Sequence, residues 1–146
     1  MGIVLEILTA DFFRKHPGMH VGSKEFRDVS YWIQGIEFCC QYKLPEKSFD
    51  LNGFREWLLM HIGGPSNMDW ARLIEMAYGG GEDATEKAFE LLDQFLIDRD
   101  ENGLDKIIAD HAEYEMKRYG HLASSRLGEN GLEWERAFGS ALIIGP

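Results

Sequence analysis

The run Asp98-x-Asp100-x-Asn102-Gly103 has the residue types that open a calcium-binding loop. Hard cations want oxygen ligands at the first, third and fifth positions of such a loop, and glycine at the sixth for the sharp turn. The remainder departs from that pattern. Asp105 stands at the eighth position, where an apolar residue belongs, and Ala109 at the twelfth, where a bidentate glutamate closes the shell. The run therefore reads as a polar interhelical turn with Asn102 as a helix cap. His16 and His20 are four apart, but Pro17-Gly18 between them prevents the helix that would aim both at one metal. His111 and Glu115 are also four apart and read as a helix-surface pair. Cys39 and Cys40 are adjacent, and neighbouring cysteines rarely pair with each other; Cys40 falls on an apolar stripe, where a thiol is inert. The chain has no His-Glu-x-x-His, no Glu-x-x-His, no Gly-x-Ser-x-Gly and no phosphate-binding glycine loop. No catalytic residue, metal ligand or cofactor site is expected.

The charge pattern says more. Residues 82–115 carry twelve carboxylates against Lys87, Arg99 and Lys106, which is nine of the chain's net ten negative charges. The same stretch repeats apolar residues at helical steps: Ala88, Phe89, Leu92, Phe95 and Leu96, then Leu104, Ile107, Ile108 and Ala112. An apolar stripe backed by acid describes two helices that bury one face and present a negative field with the other. That field attracts a basic protein partner and repels nucleic-acid phosphate and anionic lipid. Asp93, Asp98, Asp100, Glu101, Asp105 and Asp110 are the candidate partner contacts.

These residues need a scaffold. The 146 residues are 45% hydrophobic and 27% charged, enough for one folded domain with a real core. No apolar run reaches the ~20 residues of a membrane span. The start carries Glu6 and no basic cluster, so it does not read as a signal peptide. With the two neighbouring cysteines this points to a reducing, cytoplasmic setting. Periodicity and breakers predict helices over 3–15 (its β-branched start leaving a short strand as the alternative), 24–42, 53–62, about 66–78, 83–98 and 103–119. Ser23 and Asn52 are the expected caps of the second and third, and Ser66-Asn67 opens the fourth. His16 to Gly22 reads as a loop, Leu44-Pro45 and Gly79-Gly80-Gly81 as stops, and Gly120 as the end of the last long helix. The C-terminal part from about 120 is less regular, with a short helix over Glu133–Phe138 and an apolar tail over Ala141–Ile144. Trp32, Trp57 and Trp70 sit at apolar helix positions and are expected in the core, and Trp134 also lies among apolar positions. The fold class is all-α or mainly α, a single-domain bundle of about six helices.

Several segments resemble those of small uncharacterised bacterial proteins. They are a Pro-Gly-Met-x-x-Gly run (Pro17 to Gly22), the following helix with an internal glycine, Phe54-Arg-Glu-Trp57, Trp70-x-x-Leu-Ile74, and the acidic Ala88-Phe-Glu-Leu-Leu-Asp-Gln-Phe-Leu96. The likeness covers about residues 12–98. Such proteins are similar to immunity proteins of polymorphic toxin systems. The resemblance implies an acidic, cytoplasmic, non-enzymatic protein that neutralises a basic toxin by protein–protein contact. A regulatory or adaptor protein with an acidic face is the alternative. An enzyme using His61, His111 or a cysteine with carboxylates would require those groups to converge in a pocket.

Overall fold

The computed structural model of the chain describes residues 2–43 and 51–126, the last six of these by backbone only. Among the described residues all regular structure is helical, in eight helices. They are α1 (Ile3–Thr9), α2 (Asp11–Lys15), α3 (Pro17–Val21), α4 (Phe26–Lys43), α5 (Phe54–Ile62), α6 (Trp70–Tyr78), α7 (Glu82–Asn102) and α8 (Leu104–Arg126). The chain divides into two compact units, residues 1–108 and 109–146. The expected stop at Leu44-Pro45, the helix over Glu133–Phe138, the tail over Ala141–Ile144 and Trp134 lie outside the described residues.

The eight helices differ from the expected six at the N-terminus. The predicted helix over 3–15 breaks at Ala10, whose backbone is extended at φ −71°, ψ 126°. The break changes which phenylalanine is buried. A continuous helix would carry the stripe of Val4, Leu5 and Leu8 on to Phe12. Instead Phe13 is buried at 1% exposure and Phe12 stands out at 63%. The Arg14 guanidinium secures the corner by donating from Nε to the Leu8 carbonyl at 2.5 Å, filling an acceptor left open where α1 ends. The expected loop over His16–Gly22 is in part the short helix α3. Pro17 occupies its first position, where its missing N–H is no loss, while His16 before it stays out of the helical region.

The core of residues 1–108 is aromatic in its centre. Phe54 lies 6.0 Å from Trp70 and 5.1 Å from Phe95 between ring centroids. Trp70 meets Phe26 edge-on, Phe95 meets Trp57, and Phe13 stacks on Trp32 at 5.4 Å. Such pairs add to the ~1.5–3 kcal/mol gained by burying each large side chain. Trp57 is buried as expected, whereas Trp32 and Trp70 are half-buried. On α6, Ala77 is exposed and Ala71 is buried beside Leu73 and Ile74.

Three helix starts are set by partners distant in sequence or by residues other than those expected. The first amides of α4 donate to the glycine triplet, Phe26 N–H to Gly81 at 3.1 Å and Arg27 N–H to Gly80 at 3.2 Å. The Thr85 hydroxyl donates to the Lys24 carbonyl at 2.7 Å, so α7 holds the same entry from its own first turn. Ser23 accepts from the Glu25 amide, a local turn ahead of the helix. Gly53, not Asn52, precedes α5, in the left-handed region at φ 88°. A side chain there is excluded twice, by φ and by space: a Cβ would lie 2.5 Å from Leu104 Cδ1. Asp69, not Ser66-Asn67, caps α6 by accepting from the Arg72 amide at 2.8 Å. The loop before it is tied to α5, because Arg55 donates to the Ser66 and Met68 carbonyls.

Candidate partner-binding face

α7 is longer than its sequence suggests. It runs unbroken through Asp98, Asp100 and Asn102 and stops only at Gly103, with φ 86° and ψ 153°. The expected polar turn over 98–103 is therefore helix. Two contacts hold it so. The Asn102 side-chain amide donates to Asp98 Oδ1 at 2.6 Å, a one-turn pair, and the Trp57 indole N–H donates to Asp98 Oδ2 at 2.8 Å. Asn102 is the last residue of α7, not the cap of α8. α8 likewise passes Gly120 and continues to Arg126. A lone glycine costs a helix only ~1 kcal/mol, which its neighbours outweigh.

The extension brings carboxylates into line. Glu86, Glu90, Asp93, Ile97 and Glu101 recur at steps of four, three, four and four, so they share one side of α7; Asp100 sits at its edge. All are exposed, and the row spans roughly 22 Å at ~1.5 Å per residue. Ile97 stands in the middle at 58% exposure, an apolar knob among acids. The opposite side buries Ala84, Leu91, Leu92 and Phe95, with Ala88, Phe89 and Leu96 half-buried as the periodicity predicts.

The six candidate contacts fall into three groups. Asp93 and Asp98 have structural partners. Arg14 grips Asp93 with two nitrogens at 2.7 Å each, while Asp98 serves Trp57 and Asn102. A fork of that kind orients both groups, so Asp93 reaches a partner only by sharing or releasing Arg14. Asp98 is a positioning group at the back of the face. Asp100, Glu101 and Asp105 are exposed, and among the described residues they form no ion pair. Asp110 is exposed and belongs to residues 109–146. Sequence reasoning missed Glu86, Glu90 and Ile97 as members of one face. Their four-residue spacing was the available signal. Lys87 lies beside them and bonds Glu90 at 2.8 Å, which raises the lysine above its ordinary pKa by that hydrogen bond and the charge behind it.

On α8, Ile107 is buried and Leu104 half-buried, but Ile108 and Ala112 are exposed, against expectation. Beyond residue 108, His111 and Glu115 stand 3.6 Å apart, with side chains 16% and 15% exposed. Glu113 and Lys117 pair at 2.6 Å on the same helix. Among the described residues no group of three or more His, Cys, Asp or Glu is placed to hold a metal ion. Cys39 is exposed and Cys40 buried, both as free thiols. His61 stacks on Trp57 at 3.7 Å with its Nδ1 bonded to the Trp57 carbonyl. A small apolar cavity with room for about 20 Å³ lies under Leu8, Phe26, Ile33, Phe54, Trp70 and Leu92, and the hydroxyl of Thr85 in its lining already donates to the Lys24 carbonyl. No described helix is long and apolar enough to cross a membrane. Comparison with protein-family models, curated proteins and solved structures finds no match to this chain.

Proposed function

We propose that this chain is a non-enzymatic, cytoplasmic binding protein of the immunity type, which neutralises a basic bacterial toxin by covering it. The exposed row along α7, with Ile97 amid Glu86, Glu90, Asp100 and Glu101, is the observation that carries this reading. Interfaces draw energy from a few desolvated apolar anchors, while surrounding charge steers the encounter and selects the partner. An exposed isoleucine ringed by carboxylates has both parts. A basic protein fits it; a phosphate backbone does not.

The test uses the full chain and a variant with Asp100→Lys, Glu101→Lys and Asp105→Lys, immobilised side by side and exposed to native-host lysate at low and high salt. The expected result is a basic protein retained by the parent at low salt, released at high salt and not retained by the variant. Expression of that protein alone should then arrest growth, and co-expression of this chain should relieve it. Equal capture by parent and variant would remove the acidic face from the interface. Capture without toxicity would favour the adaptor reading of the same face.

A further inference from the structure

α4 has an outer face that differs in kind. Tyr31, Gly35, Phe38 and Tyr42 follow one another at steps of four, three and four, and all are exposed, the three aromatics at 58%, 61% and 68%. That alternation is the seam by which helices pair side by side. We infer that this face is a self-association surface, on which α4 of one copy lies antiparallel to α4 of a second copy.

Three observations favour a second copy as the occupant. The first is Gly35. Glycine weakens the middle of a helix, and within the described chain its Cβ would meet nothing within 4 Å. Among the described residues no close approach accounts for it. A facing helix does, because the missing side chain leaves a hollow between Tyr31 and Phe38. The second is reciprocity. In an antiparallel register that sets Phe38 of one copy over Gly35 of the other, the same step sets Tyr31 against Tyr42, and the two-fold repeats both contacts. Phe38 and Tyr42 are already in ring contact at 4.6 Å, so the knob is formed before pairing.

The third is charge. The chain carries net −10, nine of it within residues 82–115, so two copies repel where those acidic stretches face each other. α4 does not share that charge: its Arg27 and Lys43 balance Asp28 and Glu37. Asp28 and Lys43 stand exposed at opposite ends of the helix on the same flank of the stripe. Antiparallel pairing brings Asp28 of each copy to Lys43 of the other, whereas parallel pairing sets like against like. A basic partner finds no acid row here to recognise.

Sedimentation equilibrium of the full chain from low micromolar to millimolar concentration tests this directly. The expected result is a reversible monomer–dimer equilibrium. Gly35→Glu and Phe38→Glu should each weaken it by at least about tenfold, with helix content by circular dichroism unchanged because both positions are exposed. Asp28→Lys should weaken dimerisation, and Asp28→Lys with Lys43→Asp should restore it. A monomer at every concentration would overturn the inference, as would a dimer indifferent to Phe38→Glu. Should Phe38→Glu fail to fold, the charge exchange decides alone. A double exchange that fails to restore what Asp28→Lys removed rules out the antiparallel register.

Discussion

α4 and α7 are both long helices that bury one side in the same aromatic core, yet their outer sides have nothing in common. On α7 the outer row is acid with one isoleucine; on α4 it is aromatic, flat at Gly35 and electrically balanced. The inner sides answer to packing and are interchangeable in character. The outer sides are where the two helices differ in chemistry. Long-range charge sets how fast a partner arrives and apolar contact sets how long it stays. In the roles proposed above, the α7 row serves mainly the first and the α4 row mainly the second.

The contrast between inner and outer sides is sharpest on α7 itself. Phe95 is wholly buried and Ile97, two residues on, is 58% exposed. Phe95→Ala should cost about 3–5 kcal/mol by urea denaturation, from lost transfer energy and the cavity left behind. Ile97→Ala should change stability by no more than ~0.5 kcal/mol. Similar losses at both sites would mean the outer row is not free for a partner.

Two glycines should respond with opposite sign. Gly53→Ala places a side chain at positive φ and against Leu104, at a cost of about 1–3 kcal/mol. Gly35→Ala, inside α4 with open space around it, should stabilise the isolated protomer by about 0.4–1 kcal/mol. Thermal melts of dilute protein compare the two. A destabilised Gly35→Ala protomer would mean that something in the protomer itself already needs that glycine.

Asp98 and Asp100 separate a structural carboxylate from a surface one. Asp98→Ala leaves the indole N–H of the buried Trp57 without its acceptor and should cost about 1–3 kcal/mol. Trp57→Phe should then cost less in the Asp98→Ala background than in the parent, the sign of a direct coupling. Asp100→Ala should be within ~0.5 kcal/mol of neutral. Equal effects would place Asp98 among the exposed contacts after all.

Asp93 should matter less than Asp98. Its pair with Arg14 is half exposed on the carboxylate side, so Asp93→Asn should cost no more than about 1 kcal/mol in chemical denaturation and less in high salt. A larger loss would tie the acidic row to the α1–α2 corner more tightly than its exposure suggests.

The helical class, the inner stripe of α7, the stop at Gly79–Gly81 and the acidity of α7 were all legible in the sequence. Each follows from local chemistry: side-chain period, glycine's backbone freedom and the sign of nearby charges act within a few residues. What tertiary structure decided lies in pairs far apart along the chain. Phe13 displaced Phe12 from the core because α1 ends at Ala10, with Arg14 reaching back to Leu8 and across to Asp93. The 98–103 run became helix with its first aspartate tied to Trp57. The glycine triplet, a stop in the sequence, became the acceptor for the first amides of α4. No local pattern announces such partners, because a hydrogen bond across 41 residues costs chain entropy that only the assembled core repays.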